Sequence, residues 1–154
     1  MTHIVAGNTA PEFSLKSLEQ KEYSLRSLLE RGPVVAAFFK ISCPVCQFTF
    51  PFLERLHQRY GSSEAATFLG ISQDDAASHR AFSEKYRLRV RLLSDVDRKV
   101  HDAYGAWGER PGRGVGVIRS TFLVGEDGRI ARAWYFVKPD GHALEVLSAL
   151  RPAA

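Results

Sequence analysis

Two apolar runs stand out in the hydrophobic pattern, at residues 34–39 and 66–72. Each is short and continuous, which is typical of a central strand covered on both faces. Between them, apolar side chains recur at helical spacing at Phe48, Phe52, Leu56 and Tyr60. A buried strand, a helix and a second buried strand predict a right-handed βαβ unit.

Shorter elements are predicted on both sides of this unit. Before it, alternating apolar positions flank Glu19-Gln20-Lys21 and predict a hairpin, which is followed by a brief helical turn over residues 24–30. After it, Asp74-Asp75 precedes a segment that ends near Tyr86, and this order predicts a helix with an acidic N-cap.

The rest of the chain continues with strands and helices. The predicted elements are a strand at residues 91–93, a helix at 97–104, a loop at 105–116, an antiparallel hairpin of 117–124 and 129–137, and an amphipathic helix at 141–150. The loop is rich in glycine and arginine and is expected to form a mobile rim near the site. The whole pattern predicts one α/β domain over residues 1–154, with a mixed sheet flanked by helices and an N-terminal hairpin extension.

The composition is that of an ordinary globular domain with a moderate positive charge. The 154 residues are 45% hydrophobic and carry a formal net charge of +4. Arg87, Arg89 and Arg91 form a basic cluster, but they alternate as on the solvated face of an edge strand. Without a basic-aromatic platform or a helix-turn-helix pattern, we do not expect nucleic-acid binding.

The N-terminal residues and the hydropathy indicate the compartment. The first eight residues lack the basic start and apolar stretch of a signal peptide, and no segment approaches the roughly 20 apolar residues of a membrane span. We therefore expect a cytoplasmic protein without membrane contact. A cysteine pair is kept reducible in that compartment.

Both cysteines lie in Cys43-Pro44-Val45-Cys46, directly after the first apolar run and at the start of the predicted helix. With Cys43 as N-cap and Pro44 at the first helical position, the free amides of the first turn and the helix dipole favour a thiolate at Cys43. Two cysteines on one helical turn are also close enough to form a disulfide. The thiolate is the reactive form, so this spacing favours a redox-active dithiol.

Two other interpretations of the cysteine pair are weaker. A structural zinc site needs four ligands, and no second cysteine pair or His-x-His completes the set. A purely structural disulfide would close so small a loop that it would remove little chain entropy.

The remaining polar and aromatic candidates give no cofactor site. The histidines are expected to be solvated or to cap helices, and their spacing makes no metal set; they are His3, His57, His79, His101 and His142. Several aromatic residues are expected to belong to the core, namely Phe48, Phe50, Phe52, Trp107 and Trp134. No motif indicates haem, flavin or a nucleotide, and the glycine-rich loop lacks a phosphate-binding pattern.

The order of strand, Cys-x-x-Cys, helix and a proline five residues later, at Pro51, resembles the thioredoxin superfamily. Segments along nearly the whole chain resemble the peroxiredoxins of the bacterioferritin-comigratory (Q-type) class. The matching segments are Gly7-Asn8-x-Ala10-Pro11-x-Phe13-x-Leu15, Gly70-Ile71-Ser72, Ser78-His79-x-x-Phe82, Leu92-Leu93-Ser94-Asp95, Ala103-Tyr104-Gly105, Arg119-Ser120-Thr121-Phe122-Leu123 and Gly141-His142-Ala143 with Glu145-Val146-Leu147. The resemblance implies the peroxiredoxin variant of the thioredoxin-like fold.

The resemblance also implies roles for individual residues. The family motif Pro-x-x-x-Thr-x-x-Cys aligns without gaps if Cys46 is the peroxidatic cysteine. Phe39 then replaces the proline, Cys43 replaces the threonine, and Pro51 replaces a further cysteine that many Q-type enzymes carry. Arg119 matches the arginine that holds the thiolate and polarises the peroxide, a task that suits a forked, permanently charged guanidinium.

Arg119 and its neighbour each have a second interpretation. Taken without the resemblance, a strand arginine such as Arg119 is also compatible with a surface ion pair. Ser120 falls where thioredoxin-like reductases carry a cis-proline, and its presence weakens a reductase assignment.

The expected activity is reduction of hydrogen peroxide or organic hydroperoxides by a Cys43–Cys46 dithiol cycle, with thioredoxin or a similar thiol as reductant and a monomer as the working form. One alternative is a thiol-disulfide reductase in which Cys43 attacks first. A second is a redox-switched binding module whose dithiol only senses the redox state.

Overall fold

The computed structural model describes residues 4–40, 54, 67–87, 91–110, 112 and 114–136. The strands in chain order are β1 (Ser14–Ser17), β2 (Glu22–Ser24), β3 (Val34–Phe38), β4 (Thr67–Ser72), β5 (Arg91–Ser94), β6 (Trp107–Arg110), β7 (Gly114–Val117), β8 (Ser120–Val124) and β9 (Ile130–Tyr135). The described helices are α1 (Leu25–Leu29), α2 (Ala76–Tyr86) and α3 (Lys99–Tyr104). Seven of the strands form one mixed sheet in the order β2-β1-β5-β4-β3-β8-β9.

Strand β3 lies inside this sheet, as its continuous apolar run predicts. It pairs in parallel with β4 and antiparallel with β8, and all five of its residues are buried. The parallel pairing of β3 with β4 confirms the two strands of the predicted βαβ unit. Of the connecting segment, residues 41–53 and 55–66 lie outside the described residues, while Glu54 is helical and buried.

The predicted hairpin and helical turn before the βαβ unit, and the helix with an acidic N-cap after it, are confirmed. Strands β1 and β2 form the antiparallel hairpin extension, with Leu15 opposite Tyr23. Helix α1 begins after Ser24, whose hydroxyl accepts from the amide of Ser27. Helix α2 begins after Asp75, whose Oδ1 accepts from the amide of Ser78 at 2.8 Å. Side-chain caps of this kind explain why the helix starts could be predicted from the sequence.

The predicted loop at residues 105–116 is wrong, because β6 and β7 form a separate two-stranded antiparallel sheet there. Gly112 and Gly114 have positive φ angles of 73° and 74°, and glycine adopts this conformation in tight hairpin turns without steric cost. Arg110 donates from Nε to the carbonyl oxygen of Gly114 at 3.2 Å, which joins the two strands further. The glycines that suggested an irregular loop therefore make the turn of a hairpin.

The next hairpin is confirmed with a shifted boundary. Strands β8 and β9 pair antiparallel around the predicted turn, but Val117 belongs to β7 and β8 begins only at Ser120. The predicted helix at 97–104 is confirmed as α3, which begins two residues later. The predicted helix at 141–150 lies outside the described residues.

The basic cluster does not lie on an edge strand. Arg87 ends α2 in a left-handed conformation with φ of 52°, and Arg91 begins β5, whereas Arg89 lies outside the described residues. Strand β5 is internal because β1 pairs with it on one side and β4 on the other. The prediction is wrong because the sequence does not show that the N-terminal hairpin returns to cover this edge.

Alternate residues of β3 face opposite sides of the sheet. On one side, Val34, Ala36 and Phe38 join the main core, whose aromatic members include Tyr104 and Phe122. On this side the Tyr135 hydroxyl accepts from the Ile4 amide at 2.8 Å, and it lies 2.7 Å from the carbonyl oxygen of Ile4 and 3.1 Å from that of Tyr104. This hydroxyl joins the N-terminal arm, α3 and β9.

The longest described helix, α2, has 11 residues, and none of the helices in the described ranges is long and apolar enough to span a membrane.

Candidate active site

The cysteines predicted to carry the chemistry follow the carboxyl end of β3. Cys43, Cys46 and Pro51 lie outside the described residues. The described residues nevertheless include the structural frame from which that segment departs, namely the end of β3, the start of β8 and helix α2.

The strand register places Arg119 beside the exit of β3. Phe38 is paired with Ser120 on the antiparallel strand β8, so Arg119, the residue before Ser120, lies at the same end of the sheet as Phe39. On the other side of β3, the amide of Phe39 donates to the carbonyl oxygen of Ile71 at 3.0 Å. The backbone is therefore fixed up to Phe39, immediately before the segment that contains the cysteines.

The guanidinium of Arg119 is incompletely hydrogen-bonded among the described residues. The residue is half-buried, and its Nη1 atom is buried with no hydrogen-bond partner among the described residues. Within the same ranges it makes no ion pair, so the surface-pair alternative finds no support there. A buried donor without a partner costs free energy, and an anionic or polar ligand placed there would recover it.

Ser120 begins β8 in place of the reductase proline. Its side chain is buried, and its Oγ donates to the carbonyl oxygen of Ile118 at 2.8 Å. No cis peptide bond occurs within the described ranges. The serine thus satisfies its own hydroxyl locally, while its backbone belongs to the sheet.

Phe39 occupies the position of the family proline and points to the face opposite the main core. Only 1% of its surface is exposed. Its ring stacks on His79, with centroids 5.9 Å apart and an angle of 25°, and lies 5.6 Å from the ring of Phe82. The replacement therefore places a large, buried aromatic side chain four residues before Cys43 in the chain.

The expectation of a solvated or capping role is wrong for His79, which is fully buried. Its Nε2 lies 2.5 Å from Oγ of Ser72, and its Nδ1 lies 3.3 Å from Oγ of Ser94. Burial lowers the pKa of His79, although the charges of Asp74 and Asp75 oppose this effect. Ser72 and Ser94 end two neighbouring strands. The position of His79 near the start of a predicted helix does not show that these two strand ends lie beside it.

The expectation is equally wrong for His101, which is fully buried on the other face of the sheet. Its Nδ1 lies 2.6 Å from Oδ2 of Asp95, and the same oxygen accepts from the His101 amide at 2.8 Å. Burial raises the pKa of Asp95, but the hydrogen bonds from His101 and Val100 outweigh it, so the net shift is downward. The signal in the sequence was an aspartate placed shortly before the helix that contains the histidine.

Trp107 and Trp134 are each half-buried, at the margin of the core in which they were expected. The guanidinium of Arg98 lies 4.4 Å from the ring of Trp107, and that of Arg132 lies 5.4 Å from the ring of Trp134. Both indoles therefore carry cations on one face. Phe48, Phe50 and Phe52 lie outside the described residues.

Comparison with known proteins agrees with this architecture. The model of the AhpC/TSA family matches residues 6–133. Peroxiredoxin Bcp of Escherichia coli (strain K12) is 31% identical over 157 residues, and the alignment covers 100% of this chain and 100% of that protein.

Solved structures with the same fold cover nearly the whole chain. A mutant of PrxQ from Xylella fastidiosa has a TM-score of 0.87 at 30% identity, covering 97% of each chain. The bacterioferritin comigratory protein of Xanthomonas campestris has a TM-score of 0.82 at 29% identity, covering 97% of this chain and 96% of that one. The chain therefore belongs to the AhpC/TSA family, with the thioredoxin-like fold of the Bcp/PrxQ peroxiredoxins, which are thiol-dependent peroxidases.

Proposed function

We propose that this peroxiredoxin reduces hydroperoxides through Cys46 and Cys43, with Arg119 binding the reacting atoms. The Cys46 thiolate attacks the distal oxygen of ROOH, the O–O bond breaks, and the departing RO⁻ takes a proton to leave as ROH. Cys46 is then a sulfenic acid. The Cys43 thiol condenses with it, which forms the S–S bond and releases water.

An external dithiol completes the cycle by thiol-disulfide exchange. Its two thiols are oxidised to a disulfide while Cys43 and Cys46 are reduced, so two electrons pass per peroxide. We propose thioredoxin or a similar protein as this reductant, and a single-domain monomer working in the cytoplasm without nucleic-acid partners.

The buried Nη1 of Arg119 is the observation that carries the proposal. Arg119 precedes Ser120, the partner of the last residue of β3, and its Nη1 has no hydrogen-bond partner among the described residues. The forked donors of a guanidinium can hold a thiolate and a peroxide oxygen at the same time, and they can stabilise the charge that develops as the O–O bond breaks.

The substrate class follows from the family and the relatives. The Xanthomonas campestris protein is described as having alkyl peroxide reduction activity. We propose that this chain likewise accepts alkyl hydroperoxides in addition to hydrogen peroxide.

The test compares two rates on the reduced protein, namely oxidation of the cysteines by cumene hydroperoxide or hydrogen peroxide, and reduction of the disulfides of insulin. The proposal expects fast oxidation by peroxide and slow reduction of insulin. Fast reduction of insulin with slow oxidation by peroxide would support the reductase with Cys43 as nucleophile. If peroxide oxidises the cysteines but no thiol reductant sustains catalytic turnover, the result would support the redox-switched binding module.

A further inference from the structure

A buried polar network lies beneath Phe39, on the face of the sheet opposite the main core. Its centre is His79 of α2, and its other members end two neighbouring parallel strands, with Ser72 on β4 and Ser94 on β5. The amide of Asp74 donates to Ser72 Oγ at 3.0 Å, and that hydroxyl lies 3.1 Å from Oδ2 of Asp74.

The hydrogen bonds determine which nitrogen of His79 carries the proton. A serine hydroxyl has a single proton, and the charged carboxylate of Asp74 is the stronger acceptor for it. Ser72 Oγ must therefore accept from His79, so Nε2 carries the proton and Nδ1 accepts from the hydroxyl of Ser94. Every polar group of this arrangement has a partner, and the ring is held at both nitrogens.

A ring held in this way gives Phe39 a fixed surface to pack on. The rings of Phe39 and His79 are stacked, and the ring of Phe82 also packs against that of Phe39. The backbone of Phe39 is held independently by its bond to Ile71. The side chain and the main chain of Phe39 are thus both fixed. The next residue, Lys40, is the last described residue before the segment that contains Cys43 and Cys46.

We infer that His79 is a positioning residue for the peroxidase reaction, which acts through Phe39 to set where the cysteine segment begins relative to Arg119. The inference rests on the proposed roles of Cys46 and Arg119. Phe39 follows the Phe38–Ser120 pair on one strand and Arg119 precedes it on the other, so the packing of the Phe39 ring on His79 helps to fix where that segment begins relative to Arg119. Small displacements of reacting groups of this kind lower rates by large factors.

The first experiment measures peroxide oxidation of reduced wild type and His79→Gln by stopped flow. Glutamine keeps hydrogen-bonding capacity but cannot stack on Phe39. We expect the second-order rate constant to fall by about 10-fold or more, since positioning errors of about 1 Å cost up to 100-fold. Alkylation by iodoacetamide, which depends on thiolate formation and access, should stay within about twofold of wild type.

A matched control separates positioning from loss of stability. His101→Gln makes the same change at the other fully buried described histidine, which lies on the opposite face of the sheet. It should lower the free energy of unfolding while leaving the peroxide rate of the folded protein within about twofold. An equal loss of peroxide rate in both variants would overturn a specific role for His79.

A double-mutant cycle tests the path through Phe39. If His79 acts through that ring, adding His79→Gln to Phe39→Leu should change the rate by less than about twofold, because the contact is already lost. If the rate decreases caused by the two single substitutions multiply in the double variant, His79 does not act through Phe39. Should His79→Gln not fold, Ser94→Ala removes one bond to the ring, and an unchanged peroxide rate in that variant would also overturn the inference.

Failure of this inference can be told apart from failure of the proposed function. If wild-type Cys46 does not react with peroxide, the proposed function fails. If the wild type reacts and His79→Gln reacts at the same rate, only the positioning role fails.

Discussion

His101 donates from Nδ1 to Oδ2 of Asp95 at 2.6 Å, and both side chains are fully buried. Asp95 is also the acceptor for the amides of Val100 and His101 in the first turn of α3. One carboxylate therefore fixes the start of a helix and the orientation of an imidazole.

Asp95→Ala should destabilise the protein by about 2–4 kcal/mol, because it leaves two amides and a ring nitrogen buried without an acceptor. Urea denaturation monitored by tryptophan fluorescence measures the change. The control is Asp102→Ala, whose carboxylate lies 3.8 Å from Arg98 at the surface and is half-exposed. That change should cost less than about 1 kcal/mol, and an equal cost in both variants would contradict the role given to Asp95.

The burial of His79 predicts an acid-sensitive component of stability. Its pKa in the folded state lies below its unfolded value of about 6.5, so the unfolded state binds the additional proton between the two pKa values. The stabilisation is fully present above about pH 6.5 and declines as the pH falls towards the folded pKa, with a limiting slope of about 1.4 kcal/mol per pH unit.

In a denaturation series from pH 7.5 to 5, His79→Gln should therefore lose less stability than the wild type. Parallel curves for the two proteins would mean that His79 titrates equally in the folded and unfolded states.

One equivalent of hydrogen peroxide should convert the reduced protein to an intramolecular Cys43–Cys46 disulfide. Two cysteines on one helical turn lie within the range of Cα separations that a disulfide bridges. Mass spectrometry of the intact protein would show the loss of two hydrogens. A product that stays a dithiol, or a dimer linked between chains, would remove the intramolecular resolving step.

Arg119→Lys should slow the peroxide step by about 10-fold or more, or about 1.4 kcal/mol, because lysine keeps the charge and loses the forked donors. Stopped-flow oxidation of the reduced protein is the measurement. Arg132→Lys is a suitable control, since Arg132 is exposed on the neighbouring strand β9 and lies over Trp134. If both variants react within about twofold of the wild type, the guanidinium of Arg119 does not contact the reacting atoms.

The two cysteines should differ in labelling by dimedone after brief exposure to peroxide. Cys43→Ser should react once and stop as a sulfenic acid at Cys46, which dimedone traps, whereas Cys46→Ser should not react. The predicted helix N-terminus favours Cys43 as the more acidic thiol, whereas the alignment with the family motif favours Cys46 as the residue that attacks peroxide. This experiment decides between the two. A label on Cys43 in Cys46→Ser, with none on Cys46 in the counterpart, would reverse the roles.

The features that could be predicted from the sequence are those with local causes. The apolar run at residues 34–39 predicted β3, and the acidic side chains at Asp74-Asp75 predicted the start of α2. The role of Arg119 stays a prediction that the resemblance implies. Each of these depends on residues close together in the chain or on a resemblance along its whole length.

The features that were missed depend on contacts between distant segments. His79 is buried because Ser94, 15 residues away, approaches from the next strand, and β5 is internal because the N-terminal hairpin covers it. Helical periodicity cannot show either contact. The hairpin at residues 105–116 was missed for another reason, since glycines with positive φ angles serve tight turns as well as irregular loops.

The hydroxyl of Tyr135 has a consequence for the order in which the chain acquires its structure. It is the hydrogen-bond partner of the Ile4 amide, from which it is separated by 131 residues. Because synthesis proceeds from the N-terminus, the Ile4 amide leaves the ribosome long before Tyr135 has been added to the chain. The contact that fixes Ile4 can therefore form only after the strands between the two residues have been synthesised.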